Sequence, residues 1–312
     1  MRHPSPIPGP RRRTREDRYA RRPSWERVGL ETPDRSQPVA SLFRVLWMGD
    51  IPIDRIELHY DPSDVLDLSD AERLDMERRW SALVQGQPHI YDAPLCRLTS
   101  WRRRGSGLEI RAGATSYKEY QGLKAAQSVP ATRTPPSRTA RPIAVCAVAL
   151  TADGHVIMQH RSSMVGDHGG FWHVTPSGHL HPPQTFADAL FAELEEELGV
   201  LRHEVMHEPR ATGFVKDLTT GKPELTMLIQ LGIGAATVMA RKAIDSWESQ
   251  RLDAIPWTEE GVGGWLKASS HRTVPNGIAA LLLAGRITFG EQWMEATLGS
   301  LFRSGPCIPY AA

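Results

Sequence analysis

Gly178-His179-Leu180-His181-Pro182-Pro183-Gln184-Thr185-Phe186-Ala187-Asp188-Ala189-Leu190-Phe191-Ala192-Glu193-Leu194-Glu195-Glu196-Glu197-Leu198-Gly199-Val200 is the stretch whose reading decides the architecture of this chain. Thr185 followed by Asp188 is a variant of the S/T-x-x-E capping box and predicts a helix start. Gly199 supplies the left-handed stop. Between them Ala187, Leu190, Phe191, Leu194 and Leu198 follow the i, i+3, i+4, i+7 rule and define a face that docks on a core. Glu193, Glu196 and Glu197 share the other face, within about 100° of arc at 3.6 residues per turn. Carboxylates so placed repel unless a cation joins them, and Mg2+ suits hard oxygen ligands and keeps waters for phosphates. A plain surface helix also carries acidic runs, but the glycines in register at both ends set this stretch apart.

Toward the C-terminus the pattern continues as alternating strands and helices. Ile143 to Leu150 is an apolar strand, and Thr151-Ala152-Asp153-Gly154 a hairpin turn into a strand from His155 to His160. Gly213 to Lys216 and Leu225 to Ile233 read as strands flanking Asp217 to Lys222, and Pro275 to Ala284 as an apolar helix. Toward the N-terminus, residues 126–141 are a Pro, Thr, Ser and Arg linker. Residues 41–125 read as a small α/β unit. It has a strand at Arg55 to Tyr60, a helix opened by Ser69 and Glu72 and running to about Val84, and a strand pair at Leu95 to Trp101 and Gly107 to Ala112. Residues 1–40 are rich in Arg and Pro and read as a disordered tail; a second tail is expected at 301–312.

The 312 residues suit two domains, and the formal net charge of +1 gives no overall field toward nucleic acid or membrane. Three cysteines, Cys96, Cys146 and Cys307, are too few and too scattered for a disulfide framework. With no apolar stretch long enough for a bilayer and no leader-like apolar region, a cytoplasmic protein is expected.

The Gly178 to Val200 stretch resembles the Nudix box, G-x5-E-x7-R-E-U-x-E-E-x-G-U with U aliphatic. It agrees at Gly178, Glu193, Leu194, Glu196, Glu197, Gly199 and Val200 and departs at Gln184, where the family has Glu, and at Ala192, where it has Arg. The resemblance implies an α/β fold, a Nudix α/β/α sandwich over 142–300, preceded by the smaller α/β N-terminal domain. It also implies Mg2+ or Mn2+ held by Glu193, Glu196 and Glu197, with a carbonyl ligand near Gly178. Gln184 and Ala192 remove both partners of a supporting ion pair, which costs less than removing one. Catalysis is therefore expected to persist.

A second patch widens the resemblance. Gln87-Pro88-His89-Ile90-Tyr91-Asp92-Ala93-Pro94-Leu95-Cys96-Arg97-Leu98, then Ala114-Thr115-Ser116-Tyr117-Lys118-Glu119-Tyr120, is similar to the first domain of the Nudix UDP-glucose and UDP-galactose diphosphatases. It implies a small-molecule nucleoside diphosphate sugar as substrate, with Arg97, Thr115, Tyr117 and Lys118 as binding residues. Arginine pairs with phosphate bidentately, and lysine pairs as a point charge. For each residue taken singly, an ordinary packing role competes with this one. The general base is expected among Glu193, Glu197 and, outside the box, Glu224, with Glu248 and Glu259 as further candidates. His179 and His181 read as loop residues facing solvent or substrate rather than as metal ligands. The segment from Phe171 to His179 is also similar to isopentenyl diphosphate isomerase, but Ser177 stands where that enzyme has cysteine. Hydrolysis of another nucleoside diphosphate derivative such as ADP-ribose, or nucleotide binding without turnover, stay open as alternatives.

Overall fold

The computed structural model describes residues 42–87, 90–124, 139–244 and 246–303. The expected tail at 1–40, most of the linker at 126–141 and residues 304–312 lie outside the described residues.

Strand β5 (Ala144–Leu150) sits in the middle of the molecule and shows how the layers are built. Successive side chains on a strand point to opposite faces. Val145, Ala147 and Ala149 enter one core with the helix Phe186–Leu198, while Cys146 and Val148 enter a second core with the helix Pro275–Phe289. Both faces are covered, so the strand reads as a continuous apolar run. The large sheet has the order β1-β9-β10-β5-β6-β11, with β1 Phe43–Pro52, β6 His155–Arg161, β9 Arg210–Asp217, β10 Pro223–Gln230 and β11 Ser249–Pro256. Two three-residue strands, β7 (Trp172–Val174) and β8 (Ser177–His179), pair antiparallel with β6 and β5. β5 and β10 are parallel, with Glu224 opposite Ala144.

The small sheet has the order β2-β4-β3, from β2 (Ile56–Asp61), β3 (Pro94–Arg104) and β4 (Gly107–Ser116). It carries helix α1 (Asp70–Gly86), whose Ser69 and Glu72 form the expected capping box, and helix α2 (Tyr117–Lys124). Helix α3 (Phe186–Leu198) is the box helix. Thr185 and Asp188 cap it reciprocally and Gly199 ends it at φ 61°, both as the sequence predicts. All five apolar residues of its predicted face pack in or against the first core. Helix α4 (Ala235–Met239) is a single short turn, and α5 (Glu259–Ser269), α6 (Pro275–Phe289) and α7 (Glu291–Arg303) cover the other side of the large sheet.

The mixed α/β sandwich agrees with the expected fold class, but the boundaries at 41–125 and 301–312 need correction. β1, which falls inside the expected first unit, is an edge strand of the large sheet, paired antiparallel with β9. Ile56, Cys96, Leu98, Leu108, Ile110 and Ala112 of the small sheet share one core with β5, β10 and α3. The two sequence units are therefore joined by a continuous apolar interior. The last helix also runs through 301 to Arg303. β1 escapes a sequence reading because its bulges break alternation between Val45 and Trp47 and between Met48 and Ile51.

Candidate active site

A cavity of about 210 Å³ opens where the small sheet meets the large one. Its floor is β8 and the start of β10, with Gly178, His179, Lys222 and Glu224. One wall is the acidic face of α3, through Glu193 and Glu196. The others are the loop around Asp167 and His168, the Trp247–Glu248 pair ahead of β11, and Ile90, Tyr91 and Tyr117 from the first unit.

Gly178 and Glu193 show why this position is glycine: a Cβ there would overlap the Glu193 carboxylate, so the side chain lies directly against the β8 backbone. Glu197 is buried, at 3% exposure, behind Glu193. Its Oε2 accepts from Thr175 Oγ1 at 2.7 Å and from the Ser177 amide at 2.9 Å. Burial, followed by the negative charge of Glu248, pushes its carboxyl up to about 8. Its Oε1 meets no hydrogen-bond partner among the described residues, nor do Ser177 Oγ and His179 Nε2. The convergence expected of the three box carboxylates is looser than helical spacing implies. Among the described residues, the His, Cys, Asp and Glu side chains that crowd together tightly enough for one ion are Glu57, His59 and Glu109 on the small sheet. There, Arg102 and Arg111 hold Glu109, and Arg104 holds Glu57. The reason in the box is that like charges repel and that Thr175 and Ser177 draw Glu197 to one side. The donor set still fits a hard divalent cation: Glu193 and Glu196 line the cavity, and Glu197 presents a buried oxygen with no proton donor opposite it.

One of the two departures from the box, Gln184, is locally absorbed. Gln184 Oε1 accepts from the His181 amide at 3.1 Å, closing the loop ahead of α3 with a neutral group where the family has an acid. His181 Nδ1 lies 2.9 Å from the Pro94 carbonyl oxygen, tying this loop to β3. His179 lines the cavity beside Tyr117, and burial, followed by the charge of Lys222, pulls its imidazole down to about 3.

Glu224 is fully buried and not a solvated strand end. Asn276 Nδ2 donates to its Oε2 at 2.7 Å, and His173 Nε2 lies 3.5 Å from Oε1. Burial by itself would raise its carboxyl, but the His173 contact and the charge of Lys222 outweigh it and hold the group well below the usual range. Glu248 lines the same cavity, half-buried. Glu259 stands at the start of α5 under the second core, away from the cavity lining, and drops out as a base.

Three of the four expected substrate-binding side chains point elsewhere. Arg97 is 1% exposed; its guanidinium pairs with the Asp64 carboxylate and donates to the Asp64 and Ala114 carbonyl oxygens. Thr115 donates to Glu119 at 2.9 Å, and Lys118 pairs with Glu77 at 2.9 Å. None of the three lines the cavity. The reason is topological: each polar group finds a partner within the small sheet and its helices, which sequence spacing does not reveal. Tyr117 alone of the set reaches the cavity, with its ring edge-on to His179 and its hydroxyl accepting from Gln121 Nε2 at 3.1 Å.

The cavity also holds residues that the sequence reading passed over. Lys222 and Arg161 bring positive charge, and the Arg161 Nε has no partner among the described residues. His168 adopts φ 50°, rare for a non-glycine residue, and its Nε2 lies 2.7 Å from the buried Asp217 carboxylate. Tyr91 and Trp247 stand exposed at the rim. Lys222 stands in the turn just ahead of β10, two residues before the candidate Glu224.

The cavity thus sets the acidic face of α3 and the glycine of β8 across from the cations Lys222 and Arg161. Residues 140–232, which include β5, β8 and the box helix α3, match the model of the NUDIX domain. No curated protein matches the sequence. Similar solved structures include a mutT/nudix family protein from Listeria innocua, at 16% identity and TM-score 0.38 over 50% of this chain and 98% of that one. Another is DR0079 from Deinococcus radiodurans, at 15% identity and TM-score 0.35 over 46% and 81%. A third is a bifunctional NMN adenylyltransferase/ADP ribose pyrophosphatase from Francisella tularensis, at 15% identity and TM-score 0.35. It matches over 55% of this chain, which spans only 44% of that longer protein.

Proposed function

We propose that the protein hydrolyses the phosphoanhydride bond of a nucleoside diphosphate derivative, with a UDP-sugar as the substrate to test first. The observation that carries this reading is the meeting of Glu193 and Glu196 with Lys222, Arg161 and Glu248 in one cavity. Glu193, Glu196 and Glu197 would hold Mg2+ or Mn2+, with the backbone at Gly178 beside them. A bound divalent ion supplies charge neutralisation on the phosphoryl oxygens and acidifies water. Lys222 and Arg161 bind and orient the diphosphate oxygens. Water attacks one phosphorus, and the bond from that phosphorus to the bridging oxygen breaks. The products are a nucleoside monophosphate and the phosphate ester of the second group. The water proton passes to a carboxylate outside the box helix. Glu224 is committed to Asn276 and His173 and is the weaker acceptor, so Glu248 takes the proton.

The UDP-sugar reading now rests on the segment around Tyr91 and Tyr117, whose rings line the cavity and offer apolar faces to a base or a sugar. Arg97, Thr115 and Lys118 no longer support it. The test is a panel of UDP-glucose, UDP-galactose, ADP-ribose and a dinucleoside polyphosphate with Mg2+ and with Mn2+, read as monophosphate release. Release from a UDP-sugar ahead of the others supports the finer reading, and release from another member retains only the broader one. No release from any, together with ligand-induced thermal stabilisation, would make the protein a nucleotide-binding module.

A further inference from the structure

We propose that a second groove, between β3 of the small sheet and the β1–β9 edge of the large sheet, binds the phosphate of a small phosphorylated molecule through Arg44, Lys216 and Arg141. The groove has a volume of about 370 Å³, large enough for a phosphate with an organic substituent. Its lining holds those three cations and no carboxylate.

Arg44 on β1 and Lys216 on β9 are direct cross-strand partners. Like charges set opposite each other on paired strands destabilise the pair. Long basic side chains ordinarily relieve such repulsion by swinging into water or taking a carboxylate. Here neither happens: all three residues are only partly exposed, and none has an acidic partner among the described residues. The Arg44 Nε is buried with no hydrogen-bond partner among the described residues. Burial, then the charges of Arg141 and Arg44, pull the Lys216 ammonium down to about 8. A phosphate oxyanion answers every one of these features, because guanidinium groups bind it bidentately and an ammonium as a point charge. Ser100 adds a hydroxyl to the lining and Trp101 an aromatic surface for the substituent.

The groove is separate from the catalytic cavity. The turn into β10 divides them, with Lys222 and Glu224 lining the cavity and Gly221 and Pro223 lining the groove. Failure of the proposed hydrolysis would therefore leave this inference standing, and the reverse also holds.

The test titrates the full-length protein in EDTA with inorganic phosphate, then with pyrophosphate, at constant ionic strength set by chloride. Thermal unfolding and calorimetry provide the readouts. The wild type is expected to gain stability with ligand concentration. Arg44→Gln with Lys216→Gln is expected to unfold at a higher temperature than wild type in chloride and to bind about tenfold more weakly or worse. Lys216→Arg, which keeps the charge, should retain binding and guards against a folding defect in the double variant. Lys222→Gln should also retain it. No stabilisation of the wild type, or a response lost in Lys222→Gln and kept in the double variant, would overturn the assignment.

Discussion

The box helix α3 and the β3–β4 pair with its following helix α2 both carry polar residues that the sequence marks as functional, and the structure treats them oppositely. Glu193 and Glu196 of α3 stand at the cavity, while Arg97, Thr115 and Lys118 turn inward or sideways to partners of their own. A helix has an internal period, so one apolar face fixes where the other face points. A strand has two faces as well, but which polar residue meets a carboxylate depends on neighbours brought in from far along the chain. Asp64 is 33 residues from Arg97.

The sharpest way to break this contrast is to attack α3 without touching the core. Glu193→Gln is expected to lower turnover by on the order of 100-fold or more while leaving the melting temperature within a few degrees. Gly178→Ala should do nearly as much damage, because its methyl displaces the same carboxylate and the end of a flexible side chain can move aside. A variant of either kind with full turnover would remove α3 from the chemistry.

Arg97→Met should show the opposite signature. Removing one partner of a buried pair typically costs several kcal/mol. Asp64 is partly exposed and can recover water, so about 2–3 kcal/mol is the expected loss of stability. The KM of the folded variant should match wild type; a raised KM at unchanged stability would return Arg97 to the substrate. Tyr91→Ala tests the part of the first unit that does reach the cavity. Its ring is 73% exposed, so stability should hold while KM rises by about three- to tenfold, the worth of one aromatic contact. An unchanged KM would detach the first unit from recognition.

The smallest effect is on pH dependence. The Lys216 ammonium titrates near 8 when folded against 10.5 as the ordinary value. Between those values the unfolded chain binds more protons than the folded one, so this lysine makes stability rise with pH across that window. Below about 8 its penalty is present in full. Comparing wild type with Lys216→Met in denaturant melts from pH 7 to 10.5 should show a difference that shrinks as pH rises. A constant difference would mean that Lys216 is not strained by its neighbours.

Much of the large sheet and of α3 was legible in the sequence, down to the Thr185 cap and the Gly199 stop. These features are local: a few residues of fixed spacing decide them, and hydrogen bonds within the segment satisfy the backbone. The chain's own sequence thus determined that a helix would present Glu193, Glu196 and Glu197 on a face opposite an apolar stripe. It did not determine that Glu197 would be buried on Thr175 and Ser177, that β1 would join β9, or that Glu248, Lys222 and Arg161 would meet the box across one cavity. Those are contacts between segments far apart in the chain. Only the tertiary structure decides them, because the partner that satisfies a buried charge or a strand edge is chosen by packing rather than by spacing.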